Sequence, residues 1–275
     1  MNTIKELQAK AIQIRKELLQ VIVDGKTGHT GGSLSSADIL VALFYYKLKH
    51  DPQNSKWEGR DRFLLSKGHS VEGYYSILAD IGYFPKEELK TFSKFKSRLI
   101  GHPSTKVPGV EMNTGSLGHG LPIAVGMAKG FKMQNLPNRV YVLMGDGEQA
   151  EGSVWEGAMA AANYNLDNLV AIVDRNHLQI SGDTEDVMRL EDFPAKWRAF
   201  GWEVTEIDGN DMGKIISALD STSALNGKPH MIIAHTTKGK GVSFMENVAK
   251  WHHGVPTAEQ LKQAWAELDE QLATL

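Results

Sequence analysis

The chain has 275 residues, of which 41% are hydrophobic and 23% are charged, and its formal net charge is −3 at pH 7. This composition is typical of a soluble globular protein with a sizeable core, and the scattered lysines and arginines argue against a nucleic-acid or membrane-surface partner. The chain contains no cysteine, which excludes disulfides, thiolate metal sites and a cysteine nucleophile, so any metal must bind oxygen or imidazole ligands.

The first half of the chain is predicted to be mostly helical. Apolar residues at helical spacing indicate helices over residues 3–22, 36–48, 72–81 and 120–135, separated by loops rich in glycine and histidine. The longest apolar run, residues 39–46, is much shorter than the roughly 18 residues of a membrane span, and the N-terminus lacks the apolar segment of a signal peptide. We therefore expect a cytoplasmic protein.

The second half of the chain alternates short apolar runs with amphipathic stretches. The runs predict strands over residues 139–144, 169–174, 203–207 and 230–236. This alternation is typical of an α/β fold, in which a parallel sheet carries helices on both faces. A last helix is predicted to begin at Thr257, and residues 1–275 are expected to form one domain that ends in this helix.

Asp146 and Asn176 follow two successive predicted strands. Ligands of open parallel sheets bind outside the carboxyl ends of the strands, so we expect both side chains to face one crevice. Carboxylate, amide and carbonyl oxygens suit Mg²⁺ or Ca²⁺, with phosphate oxygens completing the shell. Gly145 and Gly147 would allow unusual dihedral angles and a close approach to the ligand. This pattern predicts a site for a metal-bridged diphosphate.

The same residues have simpler interpretations. Asp-Gly is common in turns, and Asn176 could be a turn former only. Asp174 could serve as the metal carboxylate in place of Asp146, or could be a strand-end residue that faces away from the crevice.

The motif of Gly145-Asp146-Gly147, 28 intervening residues and Asn176 is similar to the thiamine diphosphate motif, and the chain as a whole resembles the transketolase family. Several segments carry this resemblance in family order over nearly the whole chain. They are residues 25–40 (GKTGHTGGSLSSADIL), 60–70 (RDRFLLSKGHS), 101–128 (GHPSTKVPGVEMNTGSLGHGLPIAVGMA), 145–162 (GDGEQAEGSVWEGAMAAA), 174–182 (DRNHLQISG) and 237–256 (TKGKGVSFMENVAKWHHGVP).

The resemblance implies a thiamine diphosphate-binding fold and a set of cofactor ligands. Asp146, Asn176 and the backbone carbonyl of Leu178 would hold Mg²⁺, for which Ca²⁺ could substitute, and the metal would carry the cofactor diphosphate. The implied cofactor contacts are His69, Lys67, Gly115, Leu117, Gly145, Asp146, Gly147, Asn176 and Lys238. For the two lysines, an exposed surface position is the simpler interpretation.

Histidines beside glycine recur in the predicted loops, and one such histidine alone would be interpreted as a turn or cap residue. Imidazole near pH 7 can both accept and donate the protons that ketol transfer requires. The resemblance implies that His29 and His253 contact the sugar near its reacting carbons and that His102 contacts the donor hydroxyls. His69 would approach the cofactor diphosphate and the substrate. His252 is an alternative to His253 in this match.

Glu151 and Glu156 lie at or near the start of the helix that follows the diphosphate motif. Carboxylates are favoured there by the helix dipole, which would explain an exposed acidic helix start. The resemblance implies instead that they are interfacial carboxylates, which couple two active sites between associated chains.

The resemblance implies a thiamine diphosphate- and Mg²⁺-dependent enzyme that transfers a two-carbon ketol unit from a ketose phosphate to an aldose phosphate. In transketolases, the glutamate that activates the cofactor belongs to a second, pyrimidine-binding domain, and a third domain follows. The sequence ends at residue 275, so we expect the N-terminal subunit of a split transketolase. It would be active only with a separate C-terminal subunit, in an α₂β₂ heterotetramer.

Three other functions remain open at this stage. A specialised ketose-phosphate transferase, for example one for branched-sugar phosphates, would have the same two-chain layout. The α-subunit of a 2-oxo acid dehydrogenase shares the diphosphate motif but is not expected to carry the histidine loops or WHHG at residues 251–254. A cofactor-binding module without catalysis is disfavoured because Asp146, Asn176 and the histidines are intact.

Overall fold

The computed structural model describes residues 3–275 and contains a five-stranded parallel sheet with strand order β1-β2-β3-β7-β6. β4 and β5 form a separate antiparallel hairpin. In chain order the strands are β1 (Arg62–Leu65), β2 (Val140–Gly145), β3 (Leu169–Arg175), β4 (Leu178–Gln179), β5 (Gly182–Asp183), β6 (Glu203–Asp208) and β7 (His230–His235).

The helices pack around this sheet. In chain order the α-helices of the described residues are α1 (Ile4–Gly25), α2 (Thr30–Ser35), α3 (Ala37–Ala42), α4 (Val71–Asp80), α5 (Gly120–Met133), α6 (Gly152–Asn163), α7 (Thr184–Val187), α8 (Phe193–Ala199), α9 (Met212–Ser221) and α10 (Ala258–Ala273). No helix among residues 3–275 is long and apolar enough to cross a membrane.

The parallel sheet separates two hydrophobic clusters, because successive residues of a strand point to opposite faces. Phe63 and Tyr141 belong to the cluster that includes α1, α3, α4 and α9. Their chain neighbours Leu64 and Val142 belong to the cluster that includes α5, α6 and α8. The predicted α/β architecture, with helices on both faces of a parallel sheet, is confirmed.

Two predictions for the first half of the chain were incomplete. β1 lies in a region predicted to be mostly helical, and it pairs in parallel with β2 at one edge of the sheet. The helix predicted over residues 36–48 corresponds to α3, which ends at Ala42. A π-helical turn over Leu43–Lys47 follows it directly.

The prediction for the backbone around Asp146 was wrong in one respect. Neither Gly145 nor Gly147 has a positive φ, and Asp146 has ordinary helical angles of φ −70° and ψ −43° at the start of a 3₁₀ turn over Gly147–Ala150. Space, not dihedral freedom, explains Gly147, because a Cβ there would lie 3.1 Å from Oε1 of Gln179. A side chain at this position would crowd the β4 strand.

Candidate active site

A cleft of about 330 Å³ lies at the carboxyl ends of β1, β2 and β3. It brings together residues that are far apart in the sequence. The predicted site residues that line it are His29, Lys67, His69, Gly115, Leu117, Gly145, Asp146, Gly147, Asn176, Leu178 and Lys238. His102 and His253 do not line it but lie against His29. Glu151 and Glu156 lie outside it and are exposed.

The turn after β3 wraps around the Asp146 side chain. Asp146 accepts hydrogen bonds from the backbone N–H of Gly147 at 2.8 Å and of His177 at 2.6 Å. His177 has a φ of 64°, which bends the chain back over the carboxylate. The side-chain oxygen of Asn176 accepts the N–H of Leu178 at 3.2 Å. Both predicted metal-binding side chains line the cleft.

The donor set of this turn suits a hard divalent cation. The Asp146 carboxylate is only 2% exposed, and burial together with the nearby Asp174 raises its pKa. Nη1 of Arg175 lies 3.4 Å from the carboxylate and offsets this unfavourable charge burial only in part, so a bound cation would offset it further. The carbonyl oxygen of Leu178 already accepts a hydrogen bond from Nζ of Lys238 at 2.7 Å, so it faces a positive charge. Among residues 3–275 no group of three or more His, Asp or Glu side chains is arranged to hold a metal ion, and the predicted ligand set includes only one such side chain, Asp146.

Asp174 does not take part in this donor set. Its carboxylate is fully buried and accepts hydrogen bonds from the hydroxyls of Ser35, at 2.7 Å, and Thr236, and from the Lys67 ammonium. Burial raises the pKa of Asp174, but the Lys67 charge and these hydrogen bonds outweigh it, and the net pKa is lowered. Asp174 is therefore the counter-ion that fixes Lys67, which leaves Asp146 as the carboxylate at the cleft.

Lys67 and Lys238 are buried at 1% and 2% exposure, so the surface interpretation of these lysines was wrong. Lys67 also donates to the carbonyl of Gly32 at 2.9 Å. Burial, reinforced by the Lys67 charge, lowers the pKa of Lys238 to about 8. Asp174 balances the Lys67 charge. Lys238 instead contacts the Leu178 carbonyl and His252, so Lys238 can supply positive charge to a diphosphate.

Five histidines form a cluster at one end of the cleft. The centroid of the His29 ring lies 4.8 Å from that of His253, 5.1 Å from His69, 5.7 Å from His252 and 6.3 Å from His102. Burial is the main cause of the lowered pKa values of three of these histidines. The pKa is lowered to about 4 in His29 and to about 3 in His252, and it is lower still in His69. The imidazoles of His29, His69 and His252 are therefore neutral near pH 7.

His252 and His253 occupy different positions in this cluster. His252 lines the cleft, stacks on His69 with centroids 5.3 Å apart and places Nδ1 3.0 Å from Nζ of Lys238. His253 lies 3.3 Å from the hydroxyl of Thr27 through Nε2 and is closer to His29 than His252 is. Both histidines therefore lie in the cluster, with different neighbours.

Two buried carboxylates were missed in the sequence. Glu72 is fully buried and accepts the backbone N–H of His29 at 2.9 Å and the hydroxyl of Ser33 at 2.6 Å. Glu148 is 2% exposed and contacts the loops around the cleft. Burial raises the pKa of both carboxyls. The available signal was Glu72 itself, a lone charge in the apolar stretch of residues 71–79.

Position 115 requires a glycine, both for its backbone conformation and for the space beside it. Its φ is +135°, and a Cβ there would lie 2.5 Å from the His102 ring. The loop that carries Gly115 and Leu117 therefore packs directly against a predicted active-site histidine.

The family model described as "Transketolase, thiamine diphosphate binding domain" matches residues 7–269. The chain belongs to the transketolase family. It is 50% identical to a subunit of the apulose-4-phosphate transketolase of Phocaeicola vulgatus, over 99% of this chain and 97% of that protein. It is 45% identical to the 6-deoxy-6-sulfo-D-fructose transketolase subunit SqwG of Clostridium sp., over 97% of each.

Solved transketolases share the fold. The transketolase from Leishmania mexicana superposes with a TM-score of 0.90 at 32% identity, over 98% of this chain and 42% of that one. The enzyme from Campylobacter jejuni gives a TM-score of 0.88 at 36% identity, over 99% and 43%. This transketolase-family chain thus spans about two fifths of the length of the solved enzymes. The family match favours the transketolase interpretation over the 2-oxo acid dehydrogenase one.

Proposed function

We propose that this chain is the N-terminal, diphosphate-binding subunit of a two-chain transketolase. With its partner it transfers a two-carbon ketol unit from a ketose phosphate to an aldose phosphate. The observation that carries this proposal is the cleft in which Asp146, Asn176 and the Leu178 carbonyl lie beside two buried lysines and a histidine cluster. The relatives named as transketolase subunits, matched over 97% of their length, support the two-chain arrangement.

The metal and cofactor would be held by residues of the cleft. Asp146, Asn176 and the carbonyl of Leu178 would bind Mg²⁺, or Ca²⁺ as a substitute. Lys67 and Lys238, together with the backbone of Gly145 and Gly147 and the imidazole of His69, would face the diphosphate, and Gly115 and Leu117 the aminopyrimidine. When bound, thiamine diphosphate supplies a thiazolium centre that stabilises a carbanion.

The histidines would bind the sugar and move its protons. His29 and His253 would serve the hydroxyls near the reacting carbons, and His102 those of the donor. A neutral imidazole can accept a hydroxyl proton on one nitrogen and donate from the other, and His29 is neutral near pH 7 because burial lowers its pKa to about 4. The Lys238 ammonium is a donor only, so Nδ1 of His252 accepts, and neutral His252 carries its proton on Nε2.

The cofactor-activating glutamate would come from the pyrimidine-binding domain of the separate C-terminal subunit. Glu151 and Glu156 are exposed, so they are accessible to a second copy of this chain in an α₂β₂ heterotetramer. The relatives are named for apulose 4-phosphate and for 6-deoxy-6-sulfo-D-fructose, which makes a specialised ketose, phosphorylated or sulfonated, a second candidate substrate.

Substitution of the metal carboxylate tests the cofactor site. Asp146→Ala removes the charged oxygen ligand, so we expect Mg²⁺-dependent binding of thiamine diphosphate to be lost. Isothermal titration of the complex reconstituted with the C-terminal subunit, with and without Mg²⁺, measures the binding of thiamine diphosphate. The exposed Asp269, which pairs with Lys16 on the surface, gives the control Asp269→Ala, which should bind normally. Unchanged binding by Asp146→Ala would show that the Asp-Gly motif is only a turn.

A further inference from the structure

The Glu148 side chain connects the backbone of separate loops beside the cleft. Its Oε1 accepts the N–H of Gly118 at 2.9 Å and the hydroxyl of Ser66, and its Oε2 accepts the N–H of Gly145 at 3.0 Å. The carboxylate is 2% exposed, so protein donors rather than water satisfy both of its oxygens.

Each of these three donors belongs to a different loop of the site. Ser66 directly precedes Lys67 at the end of β1, and Gly145 directly precedes Asp146 at the end of β2. Gly118 directly follows Leu117 in the loop that packs on His102. One carboxylate therefore fixes the distances among the predicted metal, aminopyrimidine and lysine loops.

The loop of Gly118 depends on such a contact more than the strand ends do. Gly115 and Gly118 have φ values of +135° and +85°, and glycine backbone has the greatest conformational freedom to lose on ordering. The next contact along this loop is the close approach of Gly120 to Ser66, where a Cβ would collide with the hydroxyl. Glu148 and Ser66 thus hold this loop against the end of β1.

We propose that Glu148 is a positioning residue that sets the spacing of the three cofactor loops and thereby the affinity for thiamine diphosphate. This inference rests on the proposed function. The geometry requires a carboxylate, because both oxygens must accept from a backbone N–H. Glutamine has one acceptor oxygen, so in either orientation its amide NH₂ would oppose the N–H of Gly118 or of Gly145.

The isosteric variant Glu148→Gln tests the proposal. We expect its Kd for thiamine diphosphate, from calorimetric titration of the complex with the C-terminal subunit at saturating Mg²⁺, to rise by about tenfold or more because a buried donor loses its acceptor. Ser66→Ala removes one bond and keeps both backbone contacts, so its Kd should rise about threefold. The control Glu270→Gln changes an exposed carboxylate of α10 and should bind as the unmodified chain does.

A purely structural role would give a different result. It would lower the melting temperature without changing the Kd measured far below it. In the enzyme reconstituted with its partner, Glu148→Gln should regain kcat to within about threefold at saturating cofactor, since the histidines of the site are unchanged.

Two outcomes overturn the inference. One is an equal Kd for Glu148→Gln and the unmodified chain. If Glu148→Gln does not fold, the second such outcome is a Kd for Ser66→Ala that equals the Kd of the unmodified chain. A complete lack of binding by the complex of the unmodified chain with its partner would instead overturn the proposed cofactor site itself, and the role of Glu148 with it.

Discussion

Two buried aspartates at the ends of neighbouring strands, Asp146 after β2 and Asp174 in β3, have opposite electrostatic surroundings. Burial and Asp174 raise the pKa of Asp146, whereas the Lys67 charge and three hydrogen-bonded partners lower that of Asp174 despite its burial. Environments that separate two like groups in this way commonly assign them different roles. Asp174 is fully paired with Lys67 and two hydroxyls. Asp146 makes a longer ion pair with Arg175, at 3.4 Å, and lines the cleft, where it can bind an external cation.

At the same scale, His29 should make folding stability depend on pH. Its folded-state pKa of about 4 lies below its ordinary value of 6.5, so between these values the unfolded chain binds more protons than the folded one. The unfolding free energy should therefore fall as pH falls through this window. His29→Gln removes one such group, and we expect a shallower decrease in urea unfolding between about pH 7 and about pH 5.

Comparison at about pH 8, where His29 is neutral in both the folded and the unfolded chain, separates the packing cost of this substitution from its titration. The remaining decrease in the variant is expected from His252 and His69, whose pKa values are also lowered. Parallel pH profiles for the variant and the unmodified chain would contradict the burial of His29 as a neutral group.

At the scale of elements, β1 shows why the first half of the chain was predicted to be mostly helical. β1 has only four residues, too few for a periodic pattern to identify. Its pairing with β2 nevertheless carries the chain to Lys67 and His69 at the cleft. The strands of the β4–β5 hairpin are shorter still. Gln179 of this hairpin lies close to Gly147, in the turn that follows Asp146.

Helix α10 illustrates an element whose start the sequence does define. Thr257 accepts the N–H of Gln260 at 3.2 Å, and the Gln260 side chain accepts the N–H of Thr257 at 3.0 Å. Thr257→Ala removes this cap and should lower the unfolding free energy by about 1 kcal/mol in urea denaturation.

The cofactor Kd of Thr257→Ala should not change, because α10 contributes no residue to the cleft. Thr274→Ala, at the opposite end of the same helix, is the matched control and should change stability by less than about 0.5 kcal/mol. An equal loss of stability in both variants would contradict a specific role for the N-terminal cap.

At the scale of the whole molecule, the chain matches proteins named as transketolase subunits over 97% of their length and solved transketolases over about two fifths of theirs. We expect the purified chain alone to show no ketol transfer, because the proposed activating glutamate lies in another chain. Addition of the separately encoded C-terminal subunit should restore transfer in an assay with ketose and aldose phosphates.

A complex assembled with the Asp146→Ala chain provides the control for this experiment, since it should form and remain inactive. Robust turnover by the purified chain without a partner would contradict the two-chain arrangement.

The sequence alone determined the α/β alternation, the strand-end positions of Asp146 and Asn176 and the glycine-flanked histidines, because periodicity and strand ends are local properties of the chain. Only the tertiary structure decided which charges are buried. Lys67 and Asp174 are 107 residues apart, and Glu148 joins loops that are separated by tens of residues. Such contacts depend on how distant segments pack, and a local sequence pattern does not identify which distant residues a side chain will contact.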